Sequence, residues 1–86
     1  MDTLGDVRVL LLKQLPRGTD PATLVEDLPL GTSGAGLDSI AMVELLLDCE
    51  QLFAVTVSEQ ILAEGNLTLG GLVQTIREQT VARRQA

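Results

Sequence analysis

Histidine is missing from this 86-residue chain, and so are tryptophan and tyrosine. Without an imidazole, a serine or cysteine nucleophile loses its usual base, and zinc loses its commonest ligand. The single cysteine, Cys49, excludes an internal disulfide and fits a reducing compartment. Only carboxylates are left for metals, and the chain has no Asp-x-Asp-x-Asp-Gly calcium loop. Phe53 is the one aromatic ring, so Leu, Val, Ile and Ala must fill the core. No apolar run approaches the ~18 residues of a membrane span. The short run from Val9 to Leu12 follows acidic residues, not a basic stretch, so it is not read as a signal peptide.

Positive charge is also missing from the middle of the chain. The six basic residues are Arg8, Lys13, Arg17, Arg77, Arg83 and Arg84, and the segment from Gly18 to Ile76 holds none of them. That segment carries nine acids, within a net charge of −6. Such a field repels nucleic acid and anionic lipid and attracts basic protein surfaces, besides keeping a small protein soluble. Neither nucleic acid nor membrane is therefore expected as a partner.

Several candidate chemistries fail on spacing. Gly31, Gly34 and Gly36 lack the Lys-Ser/Thr ending and the preceding strand of a phosphate-binding loop. Asp38-Ser39 is not a Gly-x-Ser-x-Gly elbow. Glu44 and Asp48 are neighbours one helical turn apart, which reads as a charged face and not an acid–base pair. Cys49 falls on an apolar stripe, where it fills the core, and nothing basic stands near it in sequence. So small a domain has little room for an enclosing pocket. An independent enzyme is not expected.

What is present is helical. Residues 1–86 make one domain, able to bury roughly 60–70% of its unfolded surface. The first helix is expected over about 3–15, capped by Thr3 or Asp2, with Leu4, Val7, Leu11 and Leu15 at helical spacing and Leu10 beside them. Val9 and Leu12 fall off that stripe and suggest burial on a second side. Pro16 ends the helix. A long connection over 16–38 follows, with a short helical turn near 21–28 started by Asp20-Pro21. Leu24, Val25 and Leu28 would pin it to the core, and Gly31 to Gly36 form a loop. The second helix is expected over about 39–53, capped by Asp38 or Ser39, with Met42, Leu45, Leu46, Cys49 and Phe53 facing inward. Val43 and Leu47 lie on another face beside Glu44 and Asp48, near Ile40, and form a small apolar patch ringed by carboxylates. A short third helix over about 59–64 and a last one over about 68–81, capped by Thr68, complete an all-α four-helix bundle with three main helices. Gly70 and Gly71 lower the last helix's propensity and permit close packing. The tail from about Val81 is expected to fray.

The stretch Gly36-Leu37-Asp38-Ser39-Ile40 puts a hydroxyl at a loop–helix junction, where the bare residue reads simply as a cap. Together with Val43-Glu44-Leu45, Phe53 and the run from Leu67 to Ile76, it resembles the acyl carrier protein family, which includes the peptidyl carriers. The likeness extends over about residues 4–80. It implies that Ser39, flanked by Asp38, is esterified to 4′-phosphopantetheine taken from coenzyme A by a phosphopantetheinyl transferase. The arm's thiol would hold an acyl or aminoacyl thioester. The resemblance further implies a partner face of Ile40, Val43, Glu44, Leu47 and Asp48, with Asp38 at its edge, visited by a loading enzyme (an adenylating enzyme or acyltransferase) and by downstream synthase or tailoring enzymes. Leu62, Asn66 and Leu67 would line the arm or its cargo.

The chain departs from the family at Ala41-Met42, where fatty-acid carriers have an acidic and then a small polar residue, and at Gln51-Leu52, which replaces further acids. Its Gly-Leu-Asp-Ser is acyl-carrier-like where peptidyl carriers often show Gly-Gly-x-Ser. These features lean to a monomeric, cytoplasmic, free-standing carrier of specialised metabolism, such as polyketide, nonribosomal peptide or antibiotic biosynthesis. Two alternatives remain at this point: an unmodified helical interaction module using the acidic second-helix face, and a minimal hydrolase, which the missing histidine disfavours.

Overall fold

The computed structural model describes residues 2–57, Gln60 and 67–85, the last four as backbone only. It is all-helical, and among the described residues there are three α-helices and one 3-10 turn. The short helix expected over 59–64 falls, Gln60 aside, outside the described residues, as do Leu62 and Asn66.

Helix α1 spans Thr3–Leu12. Asp2 caps it, its carboxylate accepting the Gly5 amide at 3.0 Å and so filling one of the amides a first turn leaves free. The helix stops short of Leu15. The amides of Lys13, Gln14 and Leu15 reach back only three residues, to the carbonyls of Leu10, Leu11 and Leu12, which tightens the last turn. Pro16 disfavours helical geometry at the residue before it. Val7, Leu10 and Leu11 are buried, and Leu4, Leu12 and Leu15 pack partly against them. Val9 instead faces outward at 59% exposure, so its side of the helix carries no second core.

The connection to the second helix is tied down by backbone bonds more than by helical structure. Its helical part is only Pro21–Thr23, with the Asp20 carboxylate accepting the Ala22 amide at 2.9 Å. Leu24 is buried, and its carbonyl accepts Arg8 Nε at 2.8 Å. Val25, expected to pin this segment, is exposed, and Leu28 is half-buried. Beyond Leu24 the chain straps itself across the start of α3, Leu69–Gln85. Gly70 N donates to the Glu26 carbonyl at 2.7 Å, Leu69 N to Leu28 at 2.9 Å, and Leu30 N returns to Leu67 at 2.9 Å, around a bridge between Pro29 and Thr68. A first helical turn has amides with no partner in its own helix, and here the loop's carbonyls supply them. Thr68 adds the cap, its hydroxyl oxygen accepting Gly71 N at 3.0 Å. The strap requires glycine at position 70, where a Cβ would lie 2.9 Å from the Glu26 carbonyl oxygen. α3 continues as helix past Val81 to Gln85.

Helix α2 spans Ser39–Phe53 and buries Leu45, Leu46, Cys49 and Phe53. It ends on Ala54, which adopts a left-handed conformation at φ 54°. The Glu50 carboxylate then accepts Val57 N at 2.9 Å and helps turn buried Val55 and Val57 back over the helix end. α1 packs on both α2 and α3, and α2 on α3. Every buried residue described is apolar. Each fully buried leucine is worth about 1.5–3 kcal/mol relative to exposure, so the bundle is held by aliphatic burial.

Candidate functional site

The junction at the head of α2 is fixed from two sides. Leu30 and Leu37 are both buried, one at each end of the glycine-containing loop, and Leu37 N donates to the Leu30 carbonyl at 3.1 Å. Within the loop, Ala35 N reaches the Pro29 carbonyl and Gly36 N the Gly31 carbonyl, each at 2.8 Å. Gly36 sits at φ +82°, which favours glycine. With both leucines in the core, the next residues are held at the surface in a single register.

Those residues are Asp38 and Ser39. Asp38 Oδ1 accepts the Ala41 amide at 2.8 Å, and Asp38 is the N-cap. Ser39, the first helical residue, is exposed, and its hydroxyl makes no hydrogen bond among the described residues. Of the two capping candidates in the sequence, the aspartate does the work. The serine oxygen is not used for capping and stands at the end of the helix where backbone amides and the dipole favour negative charge.

Beside Ser39 opens a cleft of about 260 Å³. Gly31 and Thr32 form its loop side, Leu37 and Asp38 adjoin the serine, Met42 and Val43 rise from α2, and Leu67 closes it from the segment before α3. The likeness to carriers points to Leu67; nothing in the sequence marks Gly31, Thr32 or Met42 for the site. Helical spacing places Met42 inward, and in the structure it is half-buried and lines this opening. The loop residues carried no periodic signal, and only the long-range strap brings them to α2.

The outward face of α2 carries Ile40 at 72%, Val43 at 38% and Leu47 at 50% exposure, with Glu44 exposed and Asp48 half-buried among them. Leu52, off the inward stripe, is 56% exposed further along. Cys49 lies opposite, fully buried, and burial, reinforced by the charges of Asp48 and Glu50, pushes its thiol up from 9.0 to about 12. Among the described residues no three His, Cys, Asp or Glu side chains gather to hold a metal ion, and no helix is long and apolar enough to cross a membrane.

This geometry is that of a small helical carrier bundle. A family model described as the phosphopantetheine attachment site matches residues 7–76, and the chain belongs to that family, whose members hold a covalently attached 4′-phosphopantetheine. It is a carrier domain and not a catalytic one, and it deals with a modifying transferase and with biosynthetic enzymes. No curated protein matches the chain.

Proposed function

We propose that Ser39 is the attachment residue and that the protein is an acyl or aminoacyl carrier serving a polyketide, nonribosomal peptide or related pathway. The observation that carries this reading is the division of labour at the head of α2. Asp38 takes the cap, and the neighbouring hydroxyl is left exposed, with no hydrogen bond among the described residues. A group joined there through a phosphodiester would meet the amide end of the helix, and the attachment would cost no capping bond. When bound, the group supplies a thiol on which an acyl or aminoacyl unit travels as a thioester. The chain's own residues anchor and present it: Leu30 and Leu37 fix the loop, and Asp38 fixes the helix start.

Partner enzymes would dock on Ile40, Val43 and Leu47 through apolar contact, with Glu44 and Asp48 steering basic patches toward them. Rim charges of this kind mainly set encounter rate and partner choice, which suits a shuttle that must leave each enzyme quickly. The loading enzyme would be an adenylating enzyme or an acyltransferase. A reducing cytoplasm fits both the lone cysteine and a thiol-bearing arm.

Incubation with a broad-specificity phosphopantetheinyl transferase and coenzyme A should add one phosphopantetheine mass to the intact protein, localised to the Ser39 peptide and absent from Ser39→Ala. A folded protein of unchanged mass would instead favour an unmodified interaction module. Loss of the Ser39→Ala variant's partner binding would not be expected under that second reading, whereas Glu44→Lys would weaken it.

A further inference from the structure

We infer that the partner face of α2 runs on into a groove between α1 and α2, where Lys13 and Leu52 select the enzyme that charges the arm. This rests on Ser39 being the attachment residue and on α2 being the docking helix. The partner face is two rows at i, i+4 spacing, with Ile40, Glu44 and Asp48 in one and Val43 and Leu47 in the other. Five residues fall well short of the roughly 20–30 a side of a specific interface, so a partner covers more surface than they provide. Continued by one turn, the same rows reach Leu52 and Gln51, the pair that stands in place of further acids.

There α2 borders a groove of about 290 Å³ that it shares with α1. Buried Leu10 and exposed Leu52 give it an apolar lining. Lys13 comes from the α1 side, and Asp48 and Gln51 from α2. Among the described residues the Lys13 ammonium and the Asp48 carboxylate make no ion pair, although both line the groove, and the Gln51 side chain makes no hydrogen bond. Two opposite charges and an amide are therefore open to a partner beside apolar surface.

The sign of Lys13 gives the face a direction. No base lies between Gly18 and Ile76, so Glu44 and Asp48 alone would accept a basic patch in either sense along the helix. The groove lies about 14–20 Å along α2 from Ser39, at 1.5 Å per residue. A cation at that end admits a surface whose bases meet Glu44 and Asp48 and whose acid meets Lys13, since like charges opposed across an interface cost binding. The fitting partner presents, beyond its basic patch, an apolar side chain flanked by an acid. Loading is the step at which this discrimination counts. A transferase adds one and the same group whichever carrier it meets, whereas the charging enzyme fixes the cargo that every later enzyme receives.

The test uses the modified protein and the adenylating enzyme or acyltransferase found, by intact mass, to charge its arm. Steady-state loading is compared for wild type, Lys13→Glu, Lys13→Arg and Leu52→Gln, all carrying the arm. Lys13→Glu should raise KM roughly tenfold and Leu52→Gln roughly threefold, with kcat unchanged, as when binding common to ground and transition states is lost. Lys13→Arg keeps the charge and should stay near wild type. An unchanged KM in Lys13→Glu or Leu52→Gln, a fall in kcat in place of the rise in KM, or a Lys13→Arg loss equal to that of Lys13→Glu overturns the groove and leaves the attachment standing. So does slowed mass addition by the transferase with loading unchanged, which makes the transferase the occupant. Sedimentation of wild type as a dimer that Lys13→Glu disperses makes the occupant a second copy and overturns the groove likewise. Absence of mass addition in wild type overturns both readings. Should Lys13→Glu lower the urea midpoint, Leu52→Gln decides alone, an unchanged KM counting against the proposal.

Discussion

The Asp38 carboxylate accepts the Ala41 amide at 2.8 Å, three residues ahead, and Ser39 stands between them with its hydroxyl outside that bond. The cap thereby falls on Asp38, and the hydroxyl proposed above as the attachment point belongs to its neighbour. Asp38→Ala should lower unfolding free energy by about 0.5–2 kcal/mol, and Asp38→Asn by much less, because an amide oxygen can still cap. Ser39→Ala should stay within about 0.5 kcal/mol of wild type, as surface changes away from special features do. Urea unfolding of the three variants checks this. A loss at Ser39→Ala as large as that at Asp38→Ala would show the serine to be the structural cap.

Gly70 and Gly31 should respond oppositely to alanine. Helix propensity alone would make Gly70→Ala stabilising by roughly 1 kcal/mol. The strap reverses the sign, since a Cβ at Gly70 would sit 2.9 Å from the Glu26 carbonyl oxygen and 3.2 Å from the Glu26 Cβ. Overpacking of this kind costs about 1–3 kcal/mol, and the loss should come with faster hydrogen exchange at Leu30 and Leu69. Gly31→Ala, which meets nothing, should be neutral or stabilising by up to about 1 kcal/mol through a less free unfolded chain. Equal destabilisation at both positions would argue against the strap.

The contrast between these glycines marks the limit of what the sequence made legible. Local patterns wrote α2 clearly: an acid–hydroxyl pair at its head and inward Leu45, Leu46, Cys49 and Phe53 at helical spacing, all buried. The apolar residues on its outer face, Val43 and Leu47, were also readable from the same periodicity and are exposed. Which of Asp38 and Ser39 caps was not readable, because both side chains can accept the same amide. Val9 against Leu10, and Val25 against Leu24, were ambiguous because adjacent aliphatics give the same hydropathy in either rotation. The strap from Glu26 to Leu30 left no trace at all. It is made of backbone bonds to residues some forty positions away, such as Leu30 N to the Leu67 carbonyl, and so the loop wall of the cleft could not be foreseen. The left-handed Ala54 is a further case, since no glycine marks the end of α2.

Cys49 should be silent in the native protein. Its thiol is fully buried and raised from 9.0 to about 12, chiefly by that burial. Thiolate is the reactive form, so Ellman's reagent at pH 8 should count no thiol in the native unmodified protein and one after denaturation. Modified protein should give one native and two denatured thiols, which makes the native count a direct assay for the arm. The same shift has a stability consequence. Above pH 9 the unfolded chain releases the thiol proton and the folded one keeps it, so the folded state binds more protons and its stability falls as pH rises from 9 toward 12. Below pH 9 both states hold the proton and the contribution is constant. Cys49→Ala should flatten this alkaline loss, measured as the difference in urea midpoint between pH 8 and pH 10.5, while lowering stability at both.

Charge reversal on α2 separates steering from folding. Glu44 is exposed beside Val43 and Leu47, and no basic residue lies between Gly18 and Ile76 to compensate it. An exposed carboxylate of this kind contributes little to the fold, so Glu44→Lys should unfold at nearly the wild-type urea midpoint. Its effect should appear in the rate at which a transferase with a basic docking surface modifies the protein. Long-range attraction accelerates encounter by roughly 10–10³-fold for strongly complementary surfaces, and reversing one central charge should remove roughly tenfold of that at ~0.05 M salt. Screening shortens to about 3 Å at 1 M, so wild type and variant should converge as salt rises toward ~0.5 M. Val43→Ala is the complementary change, because it removes apolar contact without charge and its deficit should persist across the salt range. Initial rates of mass addition at several salt concentrations distinguish the two. A Glu44→Lys deficit independent of salt would mean that the carboxylate acts by direct contact in the complex and not by steering.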